Sequence, residues 1–240
     1  MECSQFILEF PIEPNYSFDS FIASGHNKLV VQELLNIKSR HEHSLTITGM
    51  AGVGKTHLLQ AAASYFQENS QGSTAYLDIA SLVQQLASSD EGDLSRLLES
   101  YSSYSLVAVD ELEQLENRPG LQEAVLFLFN RVSSSGGKLL FASRNSPHTM
   151  TCLRKDLSSR LLWGDVLPLN PPDDDTLGKI LAKMANDRQV KLSPKLIKFL
   201  KLRLPRRVPD YAQAMAALDR AGKGLKHKLT VPLAKKVLNL

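Results

Sequence analysis

Cysteine is nearly absent from this sequence: Cys3 and Cys152 are the only two. They have no partners at metal-ligand spacing, which argues against a disulfide framework or a thiolate metal site, and a reduced, cytoplasmic setting is expected. No apolar run is long enough to span a bilayer. The N-terminus lacks a basic region followed by a long apolar stretch, so it does not read as a secretory signal. Internal repeats and low-complexity tracts are missing too. Acidic residues are scarce in one part only. From Thr176 to Leu240 there are sixteen Lys/Arg against three Asp/Glu, a net of +13, whereas residues 1–175 carry a net of −10. Such a split turns the basic end towards something acidic, nucleic acid or an acidic protein, or else marks helix faces solvated by lysine.

What is present is a chain of 240 residues, 43% hydrophobic, enough for one well-buried core with a smaller appendage. Residues 1–14, with Pro11 and Pro14, read as an extended arm. Strand patterns at Ser44–Thr48, Ser73–Asp78, Ser105–Val109, Lys138–Ala142 and Val166–Leu169 alternate with helical patterns at Lys28–Ile37, Thr56–Gln67, Ser81–Leu86, Gly92–Ser100, Leu121–Val132 and Leu153–Leu162. This alternation predicts an α/β domain over residues 15–172, a parallel sheet flanked by helices. After Asp173 only helical patterns follow, at Thr176–Asp187, Ser193–Leu204, Asp210–Ala221 and Thr230–Leu238. Residues 173–240 are therefore expected to form a small all-helical domain, with Ser193-Pro194 and Thr230 before Val231-Pro232 as helix starts.

Gly49-Met-Ala-Gly52-Val-Gly54-Lys55-Thr56 matches G-x-x-x-x-G-K-[ST] in full. Backbone N–H groups must converge there on phosphate oxygens, and side chains at the glycine positions would obstruct the turn. The following helix points its positive end at the anion. Lys55 is placed to reach the outer phosphates of ADP or ATP, and the Thr56 hydroxyl is placed to bind Mg2+. Asp110-Glu111 ends the apolar run Ser105–Val109. Asp110 there can hold the metal through its water shell, and Glu111 can orient an attacking water. The competing reading is a pair of surface acids capping the next helix.

From Asn15 onward the sequence resembles the DnaA-like family of AAA+ P-loop NTPases. The carriers are Asn15-Tyr-Ser-Phe18-Asp19-Ser-Phe21-Ile22 with Asn27, the P-loop helix Gly54-Lys-Thr-His-Leu-Leu-Gln-Ala-Ala, Leu157-Ser-Ser-Arg160-Leu-Leu-Trp163-Gly164, Val190-Lys-Leu-Ser-Pro and Leu218-Asp-Arg220. Their order along the chain is the specific signal. The resemblance implies that Phe18 and Phe21 lie beside the adenine. It implies a helical lid over residues 173–240. It also implies that Arg160 is an arginine finger acting in trans at a subunit edge; the alternative is a structural salt bridge to Asp156 or Asp165. The chain ends near the end of the lid, so no helix-turn-helix domain is expected after it. With Lys228–Leu240, that layout is similar to the Hda family, the regulatory inactivators of DnaA. Gln5-Phe-Ile-Leu8-Glu-Phe10 fits the Q-x-x-L-x-[LF] peptide by which proteins bind the sliding clamp. Leu8 and Phe10 would enter an apolar pocket and the Gln5 amide would make polar contacts.

Two positions depart from the AAA+ pattern. Arg144 stands where a small polar or acidic sensor is usual. Pro209 stands where the lid arginine is usual, with Arg206 and Arg207 just before it. Proline offers neither charge nor N–H to a phosphate. Nucleotide binding is thus expected more firmly than hydrolysis by the chain itself. The resemblance implies a negative regulator of replication initiation that binds the sliding clamp (the beta subunit of DNA polymerase III), contacts DNA through the clamp complex and stimulates hydrolysis of DnaA-bound ATP, with homo-oligomers possible. The alternatives are an autonomous AAA+ ATPase that loads a helicase or remodels a DNA complex, and a non-catalytic clamp adaptor.

Overall fold

A computed structural model describes residues 16–70, 72–86, 99–225 and 229–240, with backbone alone at residues 86 and 223–225. The Gln5–Phe10 segment and most of the helical pattern at Gly92–Ser100 lie outside the described residues. The chain divides into two compact units. The first takes the described residues among 16–21, 27–50 and 55–169. The second takes Ile22–His26, Ala51–Gly54 and Asn170–Leu240.

The first unit is built on a five-stranded parallel sheet in the order β2-β3-β4-β1-β5. Its strands are β1 (Ser44–Thr48), β2 (Thr74–Asp78), β3 (Leu106–Asp110), β4 (Lys138–Ser143) and β5 (Asp165–Pro168). Strands β1 and β3 are buried at every position. In β3 this burial goes with a continuous apolar run, Leu106–Val109, whereas β1 alternates Leu45 and Ile47 with the buried hydroxyls of Ser44, Thr46 and Thr48: helices cover both faces of the sheet. Helices α1 (Lys28–Leu35), α2 (Lys55–Asn69), α3 (Ile79–Leu86), α4 (Pro119–Ser134) and α5 (Lys155–Leu161) supply that cover. One core runs from Leu77, Val107 and Val109 through Leu128 and Phe129 to Phe141, Leu157 and Leu161. In this topology β1 sits between β4 and β5, so the loops after β1, β3 and β4 all leave the carboxyl edge of the sheet, where ligands bind in open α/β folds.

Gly164 shows how tightly the first unit closes. A Cβ there would lie 1.8 Å from the carbonyl oxygen of Ser44 at the start of β1. Only glycine lets the chain pass so close as it enters β5.

The second unit carries α6 (Asp174–Asp187), α7 (Pro194–Arg203), α8 (Val208–Leu225) and α9 (Val231–Leu238). Side-chain caps start three of them: Asp173 accepts from Thr176 N, Ser193 from Leu196 N, and Thr230 from Leu233 N. Each cap satisfies a backbone donor that the helix leaves orphaned. Pro194 and Pro232 sit in the first turns, where a missing N–H costs nothing. The unit has its own core of Leu177, Leu181, Leu196, Leu200, Tyr211, Met215 and Leu218. No helix among the described residues is long and apolar enough to cross a membrane.

Candidate nucleotide site and arginine edge

Strand β1 ends at Thr48 and α2 begins at Lys55, so the loop between them spans the glycine-rich motif. Gly52 and Gly54 have φ of 80° and 108°, in the region that favours glycine, and these reversals turn successive N–H groups inward. The loop is anchored at its start by Gly49 N donating to Ser143 O at 3.1 Å, a bond to the end of β4. Lys55 Nζ donates to the carbonyls of Gly49 at 2.6 Å and Met50 at 3.1 Å. The ammonium is thereby folded over the loop. Burial holds the Lys55 pKa below the usual lysine range, against the pull of Glu113 and Asp110.

Asp110 ends β3 and is buried. Its carboxylate accepts from Tyr76 Oη at 3.0 Å and from Glu111 N at 2.8 Å, and the Thr56 hydroxyl also helps to hold its charge. Burial raises its pKa, and these hydrogen bonds oppose the rise. Glu111 follows in the left-handed region at φ 58°, an uncommon conformation for a residue with a side chain. Its pKa is raised first by burial and then by Asp110, Asp78 and Glu113. Thr56 and Asp110 thus bring a hydroxyl and a buried carboxylate together beside the loop. Among the described residues no group of three or more acidic, histidine or cysteine side chains could cage a metal. Mg2+ keeps most of its waters and needs one or two protein oxygens alongside phosphate, which Thr56 and Asp110 can offer. The residues present fit a magnesium nucleotide: glycine-only turns, a helix N-terminus, one cation, one hydroxyl and one acid.

The aromatic segment before α1 lies on α2. Phe21 meets the His57 ring edge-on at 5.3 Å and Phe18 meets Tyr65 at 5.7 Å. His57 Nε2 lies 3.0 Å from Ser17 O and 3.1 Å from Ser20 Oγ, and Tyr16 packs on the same ring at 4.9 Å. His57 therefore holds Tyr16, Ser17, Ser20 and Phe21, a role its place in the P-loop helix did not disclose, while Phe18 rests on Tyr65.

Both departures from the AAA+ pattern have structural partners. Arg144, just past β4, pairs with Glu113: Nε lies 2.7 Å from one carboxylate oxygen and the backbone N donates to the other at 3.1 Å. Within the second unit, Val208 N donates to Gly52 O at 3.0 Å. A Cβ on Gly52 would meet Arg207 Cβ and Pro209 Cδ at 3.0 Å each. Arg207 and Pro209 thus both pack on Gly52, while the charges of Arg206 and Arg207 are paired with Asp174 at 2.5 Å and Asp210 at 3.1 Å.

Arg160 is in the last turn of α5. Its guanidinium carbon lies 3.7 Å over the Trp163 ring, and Nε donates to Asn130 Oδ1 of α4 at 3.1 Å. The two acids that offered a salt bridge are engaged elsewhere: Asp156 with Arg154 at 2.8 Å and Asp165 with Arg40 at 2.5 Å. Trp163 is 61% exposed, and its inner edge rests on Phe129, which stacks on Phe141 in the core. A fixed cation on a broad aromatic plate is thus displayed at the surface of the first unit.

Two family profiles match the chain: the bacterial DnaA ATPase domain over residues 12–167, and the Hda lid domain over residues 173–238. A Haemophilus influenzae protein without an assigned function is 32% identical over 219 residues, covering 90% of this chain and 91% of that one. The chromosomal replication initiator DnaA of Campylobacter jejuni is 24% identical over 233 residues, covering 95% of this chain. The chain spans 53% of that DnaA, about half its length. Among solved structures, domain III of Thermotoga maritima DnaA superposes with a TM-score of 0.87 at 24% identity, covering 95% of this chain and 98% of that one. AMPPCP-bound DnaA from Aquifex aeolicus superposes with a TM-score of 0.75 at 24% identity, covering 90% of this chain and 69% of that one. The structural likenesses speak for the fold and the two profiles for the family: the chain belongs to the DnaA family of AAA+ ATPase domains and carries a lid domain of the Hda type.

Proposed function

We propose that this chain is a negative regulator of replication initiation, which binds the sliding clamp and stimulates hydrolysis of ATP held by DnaA. The observation that carries the reading is the pairing of a DnaA-type ATPase domain with an Hda-type lid in one chain. Arg160 is the residue that would act on the partner. Its charge is fixed, its donors form a planar fork, and it is held at the surface by Trp163 and Asn130. A guanidinium so placed suits the charge that develops on a transferring phosphoryl group. Gln5, Leu8 and Phe10 would supply the clamp contact. The chain's own ADP or ATP, with Mg2+ on Thr56 and Asp110, would serve mainly to order the loop; Aquifex DnaA, of the same fold, is known bound to AMPPCP. A cytoplasmic site of action follows from that role.

A second reading, an autonomous ATPase, draws on one observation: Lys55, Thr56, Asp110 and Glu111 are all present, with Asp110 buried at the end of β3. ATP turnover measured for the chain alone, then with DnaA and DNA-loaded clamp, separates the two. Turnover that depends on DnaA and clamp supports the regulator. Equal turnover by the chain alone supports the ATPase and removes the regulatory reading.

A further inference from the structure

The second unit carries a surface that nothing above uses. Helix α7 bears Lys195, Lys198, Lys201 and Arg203 and no acidic residue; α9 bears Lys235 and Lys236 and no acidic residue. The two helices meet through the unit's core, where Leu196 and Leu200 of α7 and Ala234 of α9 are buried. Lys195, Phe199 and Arg203 are four apart and share one stripe of α7. Lys235 Nζ reaches across from α9 to lie 6.0 Å over the Phe199 ring. This contact joins the cations of the two helices into one patch around a half-buried aromatic. Lys195, Lys198, Arg203, Lys235 and Lys236 are exposed, and none is ion-paired among the described residues. The ion pairs of this unit, Asp174–Arg206 and Asp210–Arg207, fall on other cations.

Like charges at this spacing repel, so an unpaired set works against the fold that displays it. A polyanion removes that repulsion. The composition narrows the choice among polyanions. Protein interfaces are anchored by exposed tryptophan, tyrosine and arginine and are poor in lysine, whereas four of these five cations are lysines. Single-stranded nucleic acid is held by bases stacked on open aromatic faces, but Phe199 is half-buried and capped by Lys235. Point charges without an open ring suit the phosphates of a duplex, read without regard to sequence. We infer that the α7–α9 face of the lid binds the phosphate backbone of double-stranded DNA directly, through Lys195, Lys198, Arg203, Lys235 and Lys236. The inference stands apart from the regulatory reading, since it needs neither DnaA nor the clamp.

Five phosphate contacts set a slope of about −4.5 in log K against log salt, so raising salt from about 50 to 200 mM weakens binding about 500-fold. The test is fluorescence anisotropy of the whole chain with two short duplexes of unrelated sequence. Both duplexes should bind alike with that slope. Lys235→Ala alone should reduce its magnitude by about 1. The five-fold alanine variant should lose at least 100-fold in affinity at low salt while keeping its nucleotide-dependent thermal shift, which reports an intact fold. An unchanged slope in Lys235→Ala, or tighter binding of single strands than of duplex, overturns the inference. So does an absence of duplex binding at low salt, the result expected if the face serves an acidic protein.

Discussion

Arg160 lies with its guanidinium carbon 3.7 Å over the ring of Trp163. The plate beneath it is backed by the core, because Trp163 leans on Phe129 and Phe129 stacks on Phe141 inside it. A long flexible side chain is thereby held in one place before any partner arrives. The ordering entropy of a free arginine is avoided when it engages. Cation–π stacking is worth about 0.5–2 kcal/mol. Trp163→Ala should therefore lower stimulation of DnaA about 2- to 30-fold, in rate rather than in affinity, and Trp163→Phe should restore most of it. Titrating DnaA against each variant checks this, and equal loss in the Phe and Ala variants would assign Trp163 a structural role instead.

The phosphate loop gives a second expectation. Lys55 Nζ already bridges two carbonyls of the loop, so the charge sits where phosphate oxygens would converge. Hydrogen bonds to charged groups contribute about 1.5–3 kcal/mol. Lys55→Ala should weaken ADP and ATP binding about 10- to 100-fold, read by calorimetry, with the fold retained.

Asp110 sets a pH dependence. Burial raises its folded pKa above the ordinary carboxylate value of 3.8. The neutral acid thus favours the fold. This contribution is complete below the ordinary value and is lost as pH rises through the raised one. Asp110→Asn lacks that loss; its one amide oxygen can accept from Glu111 N, and its NH2 then faces the Tyr76 hydroxyl, which can turn to accept. Without nucleotide and with chelator, the variant should melt above wild type at neutral pH, and the gap should close on acidification towards pH 4. With magnesium nucleotide the order should reverse, because Asn removes the anion beside Thr56. Thermal melts across pH in both conditions check the two signs.

Gly164→Ala should fail for a steric reason alone. The added Cβ would fall 1.8 Å from the Ser44 carbonyl oxygen, so the backbone of β1 or the entry to β5 must shift. Overpacking of this kind costs about 1–3 kcal/mol or more. A fall of several degrees in melting temperature is expected, with a smaller share of folded chain but normal nucleotide affinity per folded molecule.

Much of the fold was legible in the sequence, for physical reasons. Strands buried on both faces favour apolar runs, and Ser105–Val109 announced β3 in that way, while Ser44–Thr48 announced β1 by its β-branched residues and its place before the glycine-rich loop. Ser193-Pro194 and Thr230 marked helix starts through the caps they now make. Edges were less legible. Leu153 is apolar because it packs in the core, not because it is helical, and α5 begins two residues later at Lys155. Local patterns placed the phosphate loop and Asp110 at the carboxyl edge of the sheet, because both follow strands directly. Contacts between distant segments carried no such signal. The bond of Arg160 to Asn130, the pairing of Arg144 with Glu113 and the grip of His57 on Ser17 and Ser20 join residues 30 or more apart. The GKTH run named His57 without showing what it holds. The partners of Arg206 and Arg207, Asp174 and Asp210, were also beyond sequence reading.

The most direct measurement loads DnaA with labelled ATP, adds the chain with DNA-bound clamp, and follows conversion to DnaA-bound ADP in a single turnover. Arginine fingers contribute about 10³- to 10⁵-fold in phosphoryl transfer. Wild type should convert DnaA rapidly and only when the clamp is present. Arg160→Ala, folded and nucleotide-bound, should leave conversion near the rate of DnaA alone. Conversion by Arg160→Ala at the wild-type rate, or no acceleration by wild type, would contradict the account.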